Sequence, residues 1–274
     1  MTSHQSTPAP NRATGIVRPI AGFATQHLFG LDFVSETSIA ELAASLFDER
    51  DVSGWRCVVT PNVDHIVRYD RIPAEFAVAR DAVLVLPDGM PIVWASRLLR
   101  RPLRSRLAGS DLFPALWSKL AAAGVPTVVV ASSRETAEML ATEHGGARFV
   151  VPPMFDVANE QAVERLIDEI DAGVAAIGAR FVLVGLSMPK HHLVAAHLRL
   201  RWTNSHAAPT VLLLGASAEL YLGLLRRSPR WMQRTGLEWL YRLLSEPRRL
   251  AKRYLVEDTR FLVILWKAGR AKRR

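Results

Sequence analysis

Val58-Val59-Thr60-Pro61-Asn62-Val63-Asp64-His65 and Asp81-Ala82-Val83-Leu84-Val85-Leu86-Pro87-Asp88-Gly89 decide how this chain reads. Each stretch holds a short apolar run that ends in small polar residues. Cys57 to Val59 and Val83 to Leu86 are β-branched and aliphatic, the pattern of a parallel strand buried on both faces. In an open α/β sheet, ligands bind where strands end and loops begin. Thr60, Asn62 and Asp88 are therefore expected to face one crevice. A hydroxyl, an amide and a carboxylate there suit sugar recognition and general-base work. Thr-Pro-Asn and Pro-Asp-Gly are also ordinary turn sequences, so plain turn chemistry is the competing reading.

Outward from these runs, strand and helix patterns alternate. Phe29 to Val34 reads as a first strand. Ser38 to Arg50 has helical apolar spacing (Ile39, Leu42, Ala43, Leu46, Phe47) with Thr37 or Ser38 as the N-cap. Short helices are expected at His65 to Asp70 and Pro73 to Arg80. Asp111 opens a helix that Gly124 closes. Val125 to Ala131, Phe149 to Val151, Phe181 to Val184 and Thr210 to Leu214 read as strands, with helices after Ser133 and over Asn159 to Ile177. Alternation at these lengths predicts a Rossmann-like α/β fold, a parallel sheet flanked by helices on both faces. No G-x-G-x-x-G is present, which removes weight from a nicotinamide or flavin dehydrogenase, and no cofactor is expected.

The 274 residues suffice for one large domain with an appendage. Residues 1–20 are rich in Ser, Thr, Pro and Ala and read as a disordered leader. The pattern divides the rest of the chain into a 21–225 Rossmann-like domain and a 226–274 basic, amphipathic helical appendage. The net charge of +9 is uneven. From Arg226 onward, 15 Lys/Arg stand against 4 Asp/Glu, whereas the first 225 residues hold 20 against 22. A basic tail meets an anionic surface, either nucleic acid or phospholipid. Leu237 to Leu244 is amphipathic, and Arg248 to Trp266 mixes Arg and Lys with Leu, Tyr, Phe and Trp. That mixture suits a helix lying in a membrane interface; a solvated helix packed on its own domain is the alternative. Aromatic residues cluster with Leu and Glu238 rather than forming a stacking platform, which argues against nucleic acid. The single cysteine, Cys57, lies in a strand, excludes an internal disulfide framework, and fits a reducing, cytoplasmic compartment. No apolar run is long enough to span a bilayer.

Four segments carry a family resemblance. They are Thr60-Pro61-Asn62; Leu86-Pro87-Asp88-Gly89; Arg106-Leu107-Ala108-Gly109-Ser110-Asp111-Leu112; and Trp231-Met232-Gln233-Arg234-Thr235-Gly236-Leu237-Glu238-Trp239-Leu240-Tyr241-Arg242, continuing to Glu246-Pro247-Arg248-Arg249 and Arg253-Tyr254. Together they resemble the WecG/TagA/CpsF glycosyltransferases, bacterial enzymes that extend lipid-linked precursors of surface polysaccharides. The resemblance implies inverting, metal-independent transfer from a UDP-sugar to a polyprenyl-diphosphate-linked glycan, with undecaprenyl as the lipid. It implies Asp88 as general base, Thr60 and Asn62 as hydroxyl-positioning groups, and Arg106, just before Gly109, as a diphosphate counter-charge. It further implies that Arg242, Arg248, Arg249 and Arg253 meet substrate phosphates or anionic lipids on the inner face of the cell membrane. A homo-oligomer away from the membrane completes the expected partners.

The departures fall on the substrate side. The family's Gly-x-Pro-Lys-Gln-Glu is Ser187-Met188-Pro189-Lys190-His191-His192 here, which makes Lys190 and His191 candidates for sugar or phosphate contact. Adjacent histidines on one helix cannot easily share an ion, so no metal site is expected. Gly215 to Tyr221 and the Ala131-Ser132-Ser133 turn also depart from the family pattern. Phe155 is placed either against uracil or in the core. A non-catalytic UDP-sugar-binding relative remains the alternative function, ahead of a nucleic-acid-binding protein.

Overall fold

A computed structural model describes residues 22–49, 54–202, 208–252 and 257–271; the side chains of Arg230, Arg234, Arg242 and Arg249 lie outside that description, as do the expected leader and Arg253. Eight strands form one sheet in the order β1-β2-β4-β3-β8-β7-β5-β6. They are β1 (Thr25–Leu28), β2 (Leu31–Val34), β3 (Arg56–Val59), β4 (Leu84–Val85), β5 (Thr127–Val130), β6 (Ala147–Val150), β7 (Phe181–Val184) and β8 (Thr210–Leu213). Every pairing is parallel except β1 with β2. The expected α/β architecture is thus present, with an antiparallel hairpin added at one edge. The hairpin turn is Phe29-Gly30, both at positive φ (54° and 79°), the conformation whose twist suits a two-residue connection.

The strands alternate their side chains between two cores. Cys57, Val59, Val128, Val130, Val182, Val184, Val211 and Leu213 point to one face. Val58, Leu84, Leu86, Val129, Leu183 and Leu212 point to the other. Helices α2 (Val63–Tyr69), α3 (Pro73–Arg80), α4 (Met90–Leu98), α7 (Glu160–Ile177) and α8 (Lys190–Trp202) cover the first face. Helices α1 (Ile39–Asp48), α5 (Gly109–Ala122) and α6 (Arg134–Ala141) cover the second. Because β3, β5, β7 and β8 are buried along their whole length, their sequences are apolar runs, with Arg56, Thr127 and Thr210 as polar first residues of β3, β5 and β8. Cys57 is fully buried, and burial pushes its thiol pKa well up, so it behaves as a small core residue.

After β8 the chain is helical: α9 (Ser217–Tyr221), α10 (Arg230–Arg234), α11 (Glu238–Ser245), α12 (Pro247–Lys252) and α13 (Arg260–Ala271). The segment packs onto the sheet domain. Met232, Leu250, Phe261 and Ile264 are buried, and the Phe261 ring lies 5.4 Å from Phe29 of the hairpin turn. Among the described residues no helix is long and apolar enough to cross a membrane.

Candidate active site

The loops after β3 and β4 are tied together by their backbones. Leu86 N–H donates to the Val59 carbonyl (2.9 Å), Asp88 N–H to Pro61 (3.1 Å) and Leu107 N–H to Pro87 (2.8 Å). These bonds set Asp88 beside the Thr60-Pro61-Asn62 loop without using its side chain. Gly89 follows at φ 95°, a backbone conformation that a Cβ disfavours, and begins the turn into α4.

Asn62 is the N-cap of α2. Its Oδ1 accepts from His65 N–H (3.3 Å) and lies 2.8 Å from His65 Nδ1. Thr60 Oγ1 donates to the Leu213 carbonyl at the end of β8 (3.3 Å). Gly109 lets α5 approach these strand ends: a Cβ there would meet Ser217 Oγ at 3.2 Å and Thr60 Oγ1 at 3.3 Å.

A cavity of about 310 Å³ opens at this edge. Asn62, Asp88 and Arg106 line it from the sheet domain, and Gln233, Glu238 and Trp239 close it from the C-terminal segment. Of the three residues expected in one crevice, Asn62 and Asp88 share it; Thr60 stands just behind, bonded to the sheet.

Arg106 is only 13% exposed and spans two carboxylates, Glu238 Oε2 (2.8 Å) and Asp111 Oδ2 (2.8 Å). Arg227 holds the other Asp111 oxygen (2.6 Å) and Ser110 Oγ (3.1 Å). The run Glu238–Arg106–Asp111–Arg227 therefore stitches the cover to the N-terminal turn of α5. Gly236 sets how closely the cover sits. It has φ 72°, and a Cβ would fall 2.4 Å from the Trp94 ring and 2.8 Å from Met90 Cβ. Arg260 adds an ion pair to Asp70 (2.7 Å).

Lys190, His191 and Arg248 are not among the described residues that line the cavity. Lys190 sits over the Phe155 ring (4.4 Å to the centroid), and Phe155 packs at the margin of the core. His191 is buried, with Nδ1 2.7 Å from the Leu186 carbonyl. Burial pushes its pKa down to about 4 and pushes that of His192 well below its usual value, so both rings are neutral at pH 7. A neutral ring offers phosphate no charge. Arg242 lies on α11, and Arg248 and Arg249 on α12; the Arg248 side chain is exposed.

Sequence reading missed three participants. Glu238 was visible only as part of a motif, and its partner Arg106 is distant in the chain. His65, three residues after Asn62, looked like an ordinary helical residue, yet its ring stacks on His191 with centroids 5.6 Å apart. Glu219, buried, accepts a hydrogen bond from Ser132, so two departures from the family pattern meet each other.

An N-acetylglucosaminyldiphosphoundecaprenol N-acetyl-beta-D-mannosaminyltransferase of Bacillus spizizenii is 28% identical over 234 residues, covering 82% of this chain and 85% of the relative. The profile of the glycosyl transferase WecG/TagA/CpsF family matches residues 26–274. That span contains the Asp88 loop, the Arg106 segment and the whole cover, and this chain belongs to that family.

Proposed function

We propose that the chain is an inverting, metal-independent glycosyltransferase that moves a sugar from a UDP-sugar to an undecaprenyl-diphosphate-linked saccharide. The observation that carries this reading is the shared cavity, in which Asp88, Asn62 and Arg106 meet under a cover that includes Glu238 and Trp239. Asp88 takes the proton of the acceptor hydroxyl as that oxygen attacks the anomeric carbon. The bond from that carbon to the UDP oxygen breaks on the opposite face. UDP leaves with the electron pair, and the anomeric configuration inverts. Asn62 orients a hydroxyl beside the base, and Thr60, bonded to the Leu213 carbonyl behind it, supports the loop. Arg106 meets a diphosphate, to which its planar fork can donate two hydrogen bonds; to do so it exchanges Glu238 or Asp111 for phosphate oxygens.

The relative's name gives a lipid-diphosphate-linked N-acetylglucosamine as its acceptor and an N-acetylmannosaminyl group as the sugar moved. For this chain we take an N-acetylhexosamine or hexose as the donor sugar. The reaction is set on the inner face of the cell membrane, with residues 226–274 as a basic cover that exchanges between docked and free states. Exposed Leu98 of α4 and Leu262, Val263 and Trp266 of α13, with Arg270 4.5 Å from the Trp266 ring, support contact with lipid. Each Lys or Arg close to an anionic bilayer contributes about 1 kcal/mol.

The test is transfer by the purified full chain, using a panel of UDP-sugars and a short-chain polyprenyl-diphosphate-sugar acceptor in EDTA, with product scored by mass. Product in EDTA that disappears with Asp88→Asn supports the reading and identifies the donor. Binding of UDP without product moves it to a non-catalytic relative. Failure to bind UDP removes it.

A further inference from the structure

Three imidazoles meet beneath the Asn62 loop. His65 comes from the first turn of α2, and His191 and His192 from the first turn of α8. One ring nitrogen from each lies within 4.8 Å of the other two. The adjacent His191 and His192 converge, with ring centroids 4.7 Å apart, and His65 is 5.6 and 5.8 Å from them. The difficulty of two neighbouring histidines sharing an ion from one helix is met by a third ligand from another.

Each ring is aimed by an oxygen on its other side. The Leu186 carbonyl can only accept, so at 2.7 Å His191 Nδ1 carries the proton and Nε2 the lone pair. Asn62 Oδ1, at 2.8 Å, holds the His65 Nδ1 proton in the same way; the 3.4 Å approach of the Asn62 amide to that nitrogen is the weaker contact. The Tyr69 hydroxyl oxygen, 2.7 Å from His192 Nε2, can accept from it and leave the lone pair on Nδ1. His191 Nε2 and His192 Nδ1 are both buried without a hydrogen-bond partner. A buried polar atom left so costs about 1–3 kcal/mol, and nothing else in the described chain satisfies these two. Unpartnered nitrogens on His191 and His192 close to the His65 ring, with the opposite nitrogens donating to oxygen, become the arrangement of metal-bound histidine once the stacked His65 ring turns.

We propose that His65, His191 and His192 bind a divalent transition-metal ion of the zinc class, which fastens the Asn62 loop to α8. An all-imidazole set suits zinc, cobalt, nickel or copper and not magnesium or calcium, which take oxygen. Zinc–nitrogen bonds of about 2.0–2.1 Å put tetrahedral ligand atoms about 3.4 Å apart. The present spread of at most 4.8 Å closes with ring rotations and a small shift. Three protein ligands leave one position for water. Arg68, whose charge is felt at His191 and His192, is paired in bidentate fashion with Glu75. His191 and His192 do not line the cavity, so the ion acts on position: through the His65–Asn62 hydrogen bond it holds the amide that faces Asp88's space. The inference is independent of the transfer reaction. EDTA-resistant transfer and zinc uptake are separate readouts, and either can fail without the other.

The experiment strips the full chain with dipicolinate and titrates it with Zn²⁺, and with Co²⁺ as a spectroscopic probe. The expected result is one equivalent of zinc per chain, visible cobalt bands of a four-coordinate nitrogen site, and no displacement by millimolar Mg²⁺. His65→Ala, at the partly exposed member of the set, should weaken zinc binding at least tenfold, and His191→Gln should abolish it. Absence of stoichiometric uptake by the unaltered chain overturns the proposal without reference to any variant. So does uptake that His65→Ala leaves unchanged, or displacement by Mg²⁺.

Discussion

The two walls of the cavity are built by different means. The Asn62 and Asp88 loops are short, follow fully buried strands, and are fastened by backbone hydrogen bonds between successive strand ends. The opposing wall, from Gln233 to Trp239, is fastened by side chains: one glycine against an indole, one ion pair to Arg106, and Phe261 and Ile264 buried farther along the segment. Backbone fastening is insensitive to most substitutions, whereas side-chain fastening can be undone at single positions and rebuilt when a substrate or surface competes. The rigid wall suits a base that must keep its aim. The docked wall suits a part that must let a lipid-linked substrate in.

The largest effect is expected on the rigid wall. Asp88→Asn keeps the shape of the loop and removes the proton acceptor; kcat should fall by about 10²–10⁴ with UDP binding retained, as single-turnover transfer and calorimetry would show. An active Asp88→Asn enzyme would mean that the cavity's base lies elsewhere. Next comes Gly236→Val, which puts atoms into the Trp94 ring at a positive φ. It should cost about 1–3 kcal/mol of stability and raise protease cutting between α10 and α11, while circular dichroism of the sheet domain stays unchanged. Unchanged protection would mean that the cover is not held at Gly236.

Arg106→Lys keeps the charge and loses the fork. It should raise the KM for a diphosphate-linked acceptor about tenfold, equal to ~1.4 kcal/mol, with a smaller effect on kcat. For lipid contact, truncation at Arg226 is a poor probe, because it would uncover the apolar surface under Phe261 and Ile264. Leu262→Glu with Trp266→Glu changes only exposed positions, and should remove salt-resistant binding to anionic vesicles measured by flotation. The smallest effect is expected at Thr60→Ala. Its hydroxyl is bonded to the Leu213 carbonyl, so about 1 kcal/mol of stability should go with it and less than tenfold in rate. A larger rate loss would move Thr60 from the scaffold to the reacting atoms.

The rigid wall was the more legible in sequence. Buried parallel strands are continuous aliphatic runs, and Thr60-Pro61-Asn62 and Pro87-Asp88-Gly89 announce their carboxyl ends. β1 was missed because Thr25-Gln26-His27-Leu28 is a mostly exposed edge strand, and its turn, Phe29-Gly30, lacks the usual Asn-Gly. Helix α8 gave little sign of itself because apolar and polar residues are spread around it: His191, His192, Val194, Ala195, Leu198 and Trp202 are all buried. The cover was legible as motif and charge, but its docking was not. Arg106 with Glu238, Gly236 with Trp94 and His65 with His191 are tertiary meetings between distant segments, and no local period encodes them.

Arg106 carries one positive charge and shares it between two carboxylates, so a third anion is repelled by both while they stay in place. Under the proposed function, a diphosphate that takes the fork of Arg106 competes with Glu238 and Asp111 for it. Where Glu238 is the one displaced, the substrate removes a fastening of the cover, and by thermodynamic reciprocity anything that lifts the cover, a bilayer included, strengthens diphosphate binding by the same factor. Glu238 is then a resident competitor. It keeps the arginine charge occupied until a more highly charged ligand arrives, and the energy of one salt bridge sets the threshold for entry.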